Sequence, residues 1–139
     1  LDFYKTTVFG GLCFSCFFLF YQGGASVSEI LTLKKNKEFL RAYSKGTCFV
    51  SPILVTYVRR NRLNQVRLGI TTSKKVGKAV RRNRARRVIK DSYRQLVANI
   101  KPGFDIVFVA RTKTSFVKSF MVRSVMKKHL KEAKVLLDF

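Results

Sequence analysis

The hydrophobic pattern in the second half of the chain predicts a strand, a helix and a further strand. Residues 66–72 alternate between apolar and polar side chains, which is typical of a strand with one buried face. Residues 104–110 form a short apolar run that is typical of a buried strand. Between them, apolar residues recur at the three-to-four spacing of a helix with one face in a core, at Ala85, Val88, Ile89, Leu96 and Val97.

An earlier part of the chain predicts a short helix over residues 37–44. Asn36 is a suitable N-terminal cap for this helix, and Gly46 is a suitable end because glycine commonly stops a helix. The apolar side of this helix is formed by Phe39, Leu40 and Tyr43.

Two further elements complete the pattern. Residues 47–58 are rich in strand-forming side chains, and Ser51-Pro52 interrupts them, which indicates a bulge or an edge position. Residues 120–137 predict a closing helix. Its apolar face is formed by Val122, Val125, Met126, Ala133 and Leu137.

The order of elements is therefore α-β-β-α-β-α. A strand-helix-strand unit around the central helix predicts an α/β (α+β) two-layer sandwich with a mixed sheet and with helices mainly on one face. Part of the opposite face is then expected to lack a helical cover. Aromatic and apolar side chains there would form a groove for an extended ligand.

The positive charge of the chain indicates what kind of partner it binds. The chain has 29 lysines and arginines against 7 acidic residues, a formal net charge of +22, and ten of the bases fall within residues 74–94 beside the single acid Asp91. Like charges at helical spacing repel one another, and a polyanion that neutralises them removes that penalty and releases its own counterions. We therefore expect this helix to bind RNA. Charge kept only for solubility is the alternative, and it does not account for the clustering.

Residues 1–28 differ in kind from the rest of the chain. They contain an apolar run over residues 8–21, which is shorter than the roughly 20 residues that cross a bilayer as a helix. A membrane or export segment, a packed extra element and a non-native extension are the competing interpretations. The start at Leu1 rather than methionine favours the extension. We expect residues 1–28 to lie outside the functional domain and residues 29–139 to form one RNA-binding domain.

Candidate catalytic and metal-binding groups are sparse. Cys13 and Cys16 form a C-x-x-C within the apolar run, but Cys48 and His129 do not have the spacing of a zinc pair. The seven acidic residues are scattered, and His129 stands alone among lysines, where we expect a surface position. Nuclease chemistry in a polypeptide needs clustered carboxylates for two metals or a histidine acid–base pair. We therefore expect no catalytic residue and no metal site in this chain, and a reducing, cytoplasmic location.

Several motifs, in order along the chain, resemble the protein subunit of bacterial ribonuclease P. The core of residues 74–94, Arg82-Asn83-Arg84 followed by Arg86-Arg87, is similar to the RNR signature of that family. The other matching segments are residues 33–39 (LKKNKEF), 67–70 (RLGI), 73–77 (SKKVG) and 105–111 (DIVFVAR). The resemblance spans about residues 33–137, and several motifs in the right order are far more specific than one basic helix.

The resemblance implies a concrete function. The family is the small protein partner of a catalytic RNA that removes the 5′ leader from precursor tRNA, so the expected activity is that of a subunit of an endoribonuclease whose catalytic centre lies in the RNA. The expected partners are ribonuclease P RNA and precursor tRNA, without a membrane or a small-molecule substrate. The expected cofactor is Mg²⁺ bound chiefly by the RNA. The implied fold is similar to the fourth domain of elongation factor G and has a left-handed βαβ crossover, against the general right-handed rule.

The resemblance, together with the basic run around its motif, also implies two sets of site residues. The RNA-binding set is Lys74, Lys75, Lys78, Arg81, Arg82, Asn83, Arg84, Arg86, Arg87 and Lys90. The set expected to line a groove for the single-stranded leader is Phe39, Tyr43 and Tyr57. Arginine forks bond phosphates in pairs, and aromatic rings stack on unpaired bases for roughly 1–3 kcal/mol each. The rings are also compatible with ordinary core positions on an amphipathic helix.

One position departs from the family pattern. The family usually has asparagine after the glycine of its basic loop, whereas this chain has Gly77-Lys78. Lysine holds a phosphate as a point charge but does not accept a hydrogen bond, which puts in doubt any role for an amide carbonyl there.

The sequence is also compatible with two other classes of protein. They are a ribosomal-type or RNA-chaperone protein, which would bind other RNAs, and a membrane-active cationic protein, which would use residues 8–21.

Overall fold

The computed structural model describes residues 30–137, and the predictions made for residues 1–28 lie outside them. The sheet contains β1 (Thr47–Val50), β2 (Leu54–Arg60), β3 (Arg67–Thr72) and β4 (Phe104–Ala110). The helices are α1 (Asn36–Lys45), α2 (Ala79–Arg94) and α3 (Ser119–Glu132). Short 3-10 turns lie at Lys74–Val76, Val97–Asn99 and Thr112–Ser115.

The sheet is mixed, as the sequence predicts. Its strand order is β1-β2-β4-β3, in which β1 pairs with β2 and β2 with β4 in antiparallel fashion, whereas β3 and β4 are parallel. Parallel neighbours need a crossover connection, and α2 lies within it. The α+β class with a mixed sheet is therefore confirmed, and the left hand of the crossover stays a prediction of the resemblance.

The predicted strand over residues 47–58 is in fact a hairpin of two strands. The backbone N–H of Ser51 donates to the carbonyl oxygen of Leu54 at 2.9 Å, and the Leu54 N–H donates to the Ser51 hydroxyl at 3.0 Å. These bonds close a four-residue turn around Pro52, so the interruption reverses the chain instead of forming a bulge. The described sheet thus has four strands where the pattern predicts three.

The two faces of the sheet carry different helices. Side chains alternate between faces along a strand. On one face, Phe108 meets the ring of Tyr93 from α2 in an edge-to-face contact, with ring centroids 6.0 Å apart. On the other face, Val107 forms a core cluster with Leu33 and Ala42, so α1 packs there. Two helices therefore cover one face, and α1 covers only part of the opposite one.

Both terminal helices differ from prediction at one boundary. Asn36 is the first residue of α1 and not its cap, because the Glu38 carboxylate accepts the backbone N–H of Lys35 at 3.1 Å. Helix α3 ends at Glu132 and does not continue to residue 137. Lys134 has a φ of 55°, which turns the chain away from the helix, and Leu137 is left exposed.

The surface position predicted for His129 is wrong. Its side chain is 3% exposed, its Nδ1 lies 2.9 Å from the hydroxyl of Thr56, and its ring stacks on Phe49. The inward side of α3 reaches the sheet at this residue, and the hydroxyl of β2 supplies the polar partner that a buried imidazole requires. Burial lowers the pKa of His129 below its ordinary value, the charge of Glu132 opposes this shift, and the charge of Lys128 adds to it.

An ion-pair network fixes α1 to the sheet. The Arg67 guanidinium donates to both carboxylate oxygens of Asp105 at 2.8 Å and to the Glu38 carboxylate at 2.7 Å. The Asn61 side chain also donates to Asp105 at 2.7 Å, which ties the loop between β2 and β3 to the same carboxylate. Asp105 is 1% exposed, and these donors supply the hydrogen bonds that a buried carboxylate requires. The Lys35 N–H and Arg67 together lower the pKa of Glu38.

Replacement of Asp105 by alanine is expected to lower the free energy of unfolding by about 3 kcal/mol or more, since it leaves Arg67 without its main partner. Urea unfolding measures this change. Asp91→Ala, which removes an exposed carboxylate and raises the net charge equally, is the control and should stay within about 0.5 kcal/mol of the parent. Equal stability of the two variants would contradict the structural role of Asp105.

The stability of the protein is expected to fall as the pH drops below about 6.5, the ordinary pKa of histidine. Because the pKa of His129 is lower in the folded state, the unfolded chain binds the proton more readily, and unfolding is favoured below that pH. His129→Asn, which keeps a polar partner for Thr56, should show a flatter dependence of the unfolding midpoint between pH 7 and pH 5. A variant with the same slope as the parent would assign the pH effect to other groups.

Candidate nucleic-acid interface

Helix α2 presents its basic residues to solvent because its opposite side forms part of the core. Ala85, Ile89 and Tyr93 are buried against the sheet and α3, and burial raises the pKa of the Tyr93 phenol. Of the predicted RNA-binding set, Arg82 alone is partly buried. The exposed members are Lys74, Lys75, Lys78, Arg81, Asn83, Arg84, Arg86, Arg87 and Lys90.

Two basic loops meet at one end of the sheet. The parallel strands β3 and β4 end at the same edge, so the loop that carries Lys75 lies beside the loop at Thr112–Ser115. The Thr112 hydroxyl lies 3.4 Å from the carbonyl oxygen of Lys75. Arg111 and Lys113 are exposed there and extend the basic surface. The sequence shows that this second loop is basic, but its position beside Lys75 depends on the strand pairing.

Lys78 and Arg81 lie at the N-terminal end of α2. The Arg81 guanidinium lies over the Phe116 ring, 5.0 Å from its centroid, which is a cation–π contact. Gly77, with a φ of 124°, leaves room for the Arg81 side chain, since a Cβ atom at this position would lie 3.1 Å from its Cδ. Lys78 is the N-terminal cap residue of α2, where the helix dipole disfavours a cation and favours an anion. A phosphate at this end would relieve that conflict.

Two arginines of α2, Arg82 and Arg86, each have a distinctive environment at Nε. The Arg86 Nε donates to the Thr72 hydroxyl at 3.0 Å, which fixes the direction of this side chain. The Nε of Arg82 is buried and has no hydrogen-bond partner within residues 30–137. A buried donor without a partner is costly and is found mainly where a ligand or a functional constraint accounts for it.

The three predicted groove aromatics lie together on the face that carries α1. Phe39, Tyr43 and Tyr57 are each partly buried and pack against the core cluster that contains Val107. Tyr43 and Tyr57 make an edge-to-face contact with centroids 5.0 Å apart, and the Tyr43 hydroxyl lies 2.7 Å from that of Thr71. These rings therefore contribute to the core, and each keeps part of its surface exposed.

Phe39 occupies space that a glycine leaves free. A Cβ atom on Gly69 would lie 2.7 Å from Cε1 of Phe39 and 3.1 Å from a methyl group of Val107. Phe39 also lines a cavity of about 400 Å³ together with three basic side chains of α2, namely Arg86, Arg87 and Lys90. One groove aromatic and the basic helix thus border the same cavity.

A strip of the sheet face leads from the tyrosines toward the basic loops. The register places Cys48, Tyr57, Val107 and Gly69 in one row across the sheet. The next row toward the loops contains Val50, Val55, Val109 and Thr71, and Val50 is 65% exposed. A cavity of about 500 Å³ continues from Val50 to Arg111 and Lys113.

The sequence predicts an open apolar groove on this side of the sheet and names Tyr57 for it, but the other residues of the strip are brought together by strand register and were not predicted. Tyr57 forms part of its floor. The neighbouring Cys48 thiol is the main cause that raises the pKa of the Tyr57 phenol above its ordinary value, and burial adds to it.

The acidic residues of the described part of the chain are Glu38, Asp91, Asp105 and Glu132. Glu38 and Asp105 bind Arg67 and are therefore engaged in structure. Within residues 30–137, histidine, cysteine and acidic side chains do not gather in a group of three that could hold a metal ion. Over the same residues, no helix has the length and the apolar character needed to cross a membrane.

A mixed sheet in an α+β fold, with an exposed basic helix between its parallel strands, is typical of the class of nucleic-acid-binding domains. The chain belongs to the ribonuclease P protein family, since the family model described as Ribonuclease P matches residues 28–134. The resemblance seen in the sequence is thereby confirmed. The protein is a subunit of the ribonuclease P endoribonuclease, and ribonuclease P RNA is its partner.

Relatives and solved structures agree with this membership. The ribonuclease P protein component of Clostridium kluyveri is 43% identical over 108 residues, which are 76% of this chain and 96% of the relative. That of Clostridium botulinum is 49% identical over 84 residues, 60% of this chain and 76% of the relative. The RNase P protein structure from Staphylococcus aureus has a TM-score of 0.69 at 32% identity and covers 78% of this chain and all of that one. The Thermotoga maritima structure has a TM-score of 0.65 at 32% identity, with 73% and 96% covered.

Proposed function

We propose that the protein uses two adjoining surfaces in leader removal. The basic surface of α2 binds the catalytic RNA, and the groove between α1 and the open strip of the sheet binds the single-stranded 5′ leader of precursor tRNA. The observation that carries the proposal is the cavity shared by Phe39 of α1 and the bases Arg86, Arg87 and Lys90 of α2. A leader bound along the aromatics would pass directly beside the RNA-binding helix.

The chemistry of the groove suits an extended strand of variable sequence. Its floor is apolar and aromatic near Tyr43 and Tyr57, and it becomes basic at Arg111 and Lys113. Val107 and Arg111 are four residues apart along β4, which corresponds to a path of roughly 13 Å. Rings that stack on bases accept any base, while lysine and arginine hold the phosphates between them. This combination provides affinity without a requirement for one leader sequence.

The basic surface suits a folded RNA. Its side chains lie on one rigid helix and two loops that are held by backbone pairing, so they present a fixed arrangement to phosphates. Arginine binds a phosphate through two parallel hydrogen bonds, which adds geometric selectivity to charge attraction. Asn83 adds a side chain that can bond a sugar or a base edge.

We assign bond cleavage to the RNA partner and to Mg²⁺ ions that the RNA chiefly holds. A protein-borne magnesium site would need carboxylates that converge on one point, and Glu38 and Asp105 converge on Arg67 instead. The protein then contributes binding and charge neutralisation. With precursor tRNA as the proposed substrate, we propose a cytoplasmic location and no membrane or small-molecule partner.

Replacement of Arg82, Arg84 and Arg86 by alanine together is expected to weaken binding to ribonuclease P RNA and to reduce its salt dependence. Loss of three phosphate contacts should make the log–log slope of affinity against salt shallower by about 2–3. Filter binding over a range of salt concentrations measures both effects.

The matched control for this prediction is the triple alanine variant at Lys127, Lys128 and Lys131, which removes the same charge from exposed positions on α3. It should keep most of the slope. An equal loss in both variants would mean that only the total charge matters, and it would remove the specific role of α2.

Tyr57→Ala is expected to reduce the affinity of the reconstituted holoenzyme for precursor tRNA with a long leader by about five-fold or more, because one stacking platform is lost. Tyr57→Phe keeps the ring and should bind like the parent. Affinity for a precursor with a one-nucleotide leader should be the same in all three, which also controls for folding. Both measurements are made with ribonuclease P RNA at low Mg²⁺, alongside cleavage. A loss that is independent of leader length would contradict the groove assignment.

A further inference from the structure

A second groove lies on the other flank of α2, where it meets the start of α3. This groove has a volume of about 610 Å³, which is within the range of pockets that hold small ligands. Its basic side chains are Arg84 and Arg87 of α2 and Lys118, the residue before α3. Val88 and Val117 provide apolar lining. Arg87 also lines the cavity that contains Phe39 of α1, so its side chain lies between that cavity and this groove.

The walls of this groove are held in place by buried contacts. The hydroxyl of Ser92, which is fully buried, lies 2.9 Å from the carbonyl oxygen of Ser119 at the start of α3. Val122 and Met126 on the inner side of α3 are also fully buried, which anchors this helix in the core. The groove therefore exists before any ligand binds.

Two phenylalanines at this end of the molecule remain exposed to water. Phe120 lines the groove and is 56% exposed, and Phe116 is 62% exposed beneath the Arg81 guanidinium. Apolar rings of this size are normally buried, and here they stand among cations. Exposed rings interleaved with arginine and lysine match the chemistry of unpaired nucleotides, in which a flat base alternates with a phosphate.

We propose that this groove binds an unpaired nucleotide of ribonuclease P RNA. The base stacks on Phe120, and the flanking phosphates are held by Arg84, Arg87 and Lys118. Asp91 is the acidic residue of the lining, and its carboxylate can accept a hydrogen bond from an amino group of the base. The inference rests on the proposed binding of this RNA by α2, and it adds two contacts to the base, from Phe120 of α3 and Asp91 of α2, to the phosphate contacts.

Charge favours RNA over a protein as the occupant. Three cations and one anion line the groove, on a protein whose net charge is +22, so a second copy of this chain would be repelled. A nucleotide satisfies both the rings and the cations. A purely apolar segment of a protein would leave the cations without partners.

The chain contains no tryptophan, so Phe120→Trp gives a single fluorescent reporter inside the groove. In the full-length protein, titration with ribonuclease P RNA should quench this fluorescence and saturate at the same ratio as binding. Inorganic polyphosphate, which supplies charge without bases, should bind without comparable quenching. Equal quenching by polyphosphate would show that no base stacks on the ring and would overturn the proposal.

Phe120→Ala should reduce affinity for ribonuclease P RNA by about five-fold or more, which is the loss expected for one stacked base. Leu63→Ala is the matched control, since Leu63 is also 56% exposed but lies in the loop between β2 and β3. It should bind like the parent.

The outcomes separate this inference from the proposed function. If the triple variant at Arg82, Arg84 and Arg86 loses affinity while Phe120→Ala does not, the groove proposal fails and the RNA-binding role of α2 stands. If neither variant loses affinity, both fail. If the tryptophan signal changes with protein concentration and not with RNA, the groove is a contact between copies of the chain, and the proposal is overturned.

Discussion

Arg67 holds together the parts on which the candidate sites depend. Its guanidinium joins Asp105 in β4 to Glu38 near the start of α1, and Asn61 joins the same aspartate from the loop after β2. This network fixes where α1 crosses the sheet, and the position of α1 fixes where Phe39 and Tyr43 lie. In a chain with few acids, two of those in the described part converge on one arginine in the fold.

The basic surface is stable because the same helix has a well-packed inner side. Ala85, Ile89 and Tyr93 bury α2 against the sheet and α3, so folding does not depend on its outer face. Repulsion among the outer arginines is a cost of the free protein that binding to a polyanion removes. The fold therefore keeps a concentrated charge in a defined geometry, which a disordered basic segment would not do.

The elements with strong periodicity were predicted well from the sequence. The strands at Arg67–Thr72 and Phe104–Ala110 agree with prediction within one residue, and the basic residues of α2 are exposed as expected, apart from the partly buried Arg82. The hairpin at Ser51 and the buried state of His129 were missed, because a side-chain turn and a distant partner, Thr56, decide them. Both grooves beside α2 were also beyond the reach of periodicity, since they are formed where separate elements meet.

Gly69 limits which substitutions can occur near Phe39 during evolution. Its missing side chain is the space into which the Phe39 ring packs, at a distance that any Cβ atom would violate. A larger residue at position 69 is tolerable only if position 39 becomes smaller, because close-packed interiors have no spare volume for both. Substitutions at positions 39 and 69 should therefore occur together. Each combination of the two residues then sets the depth of the cavity that Phe39 lines.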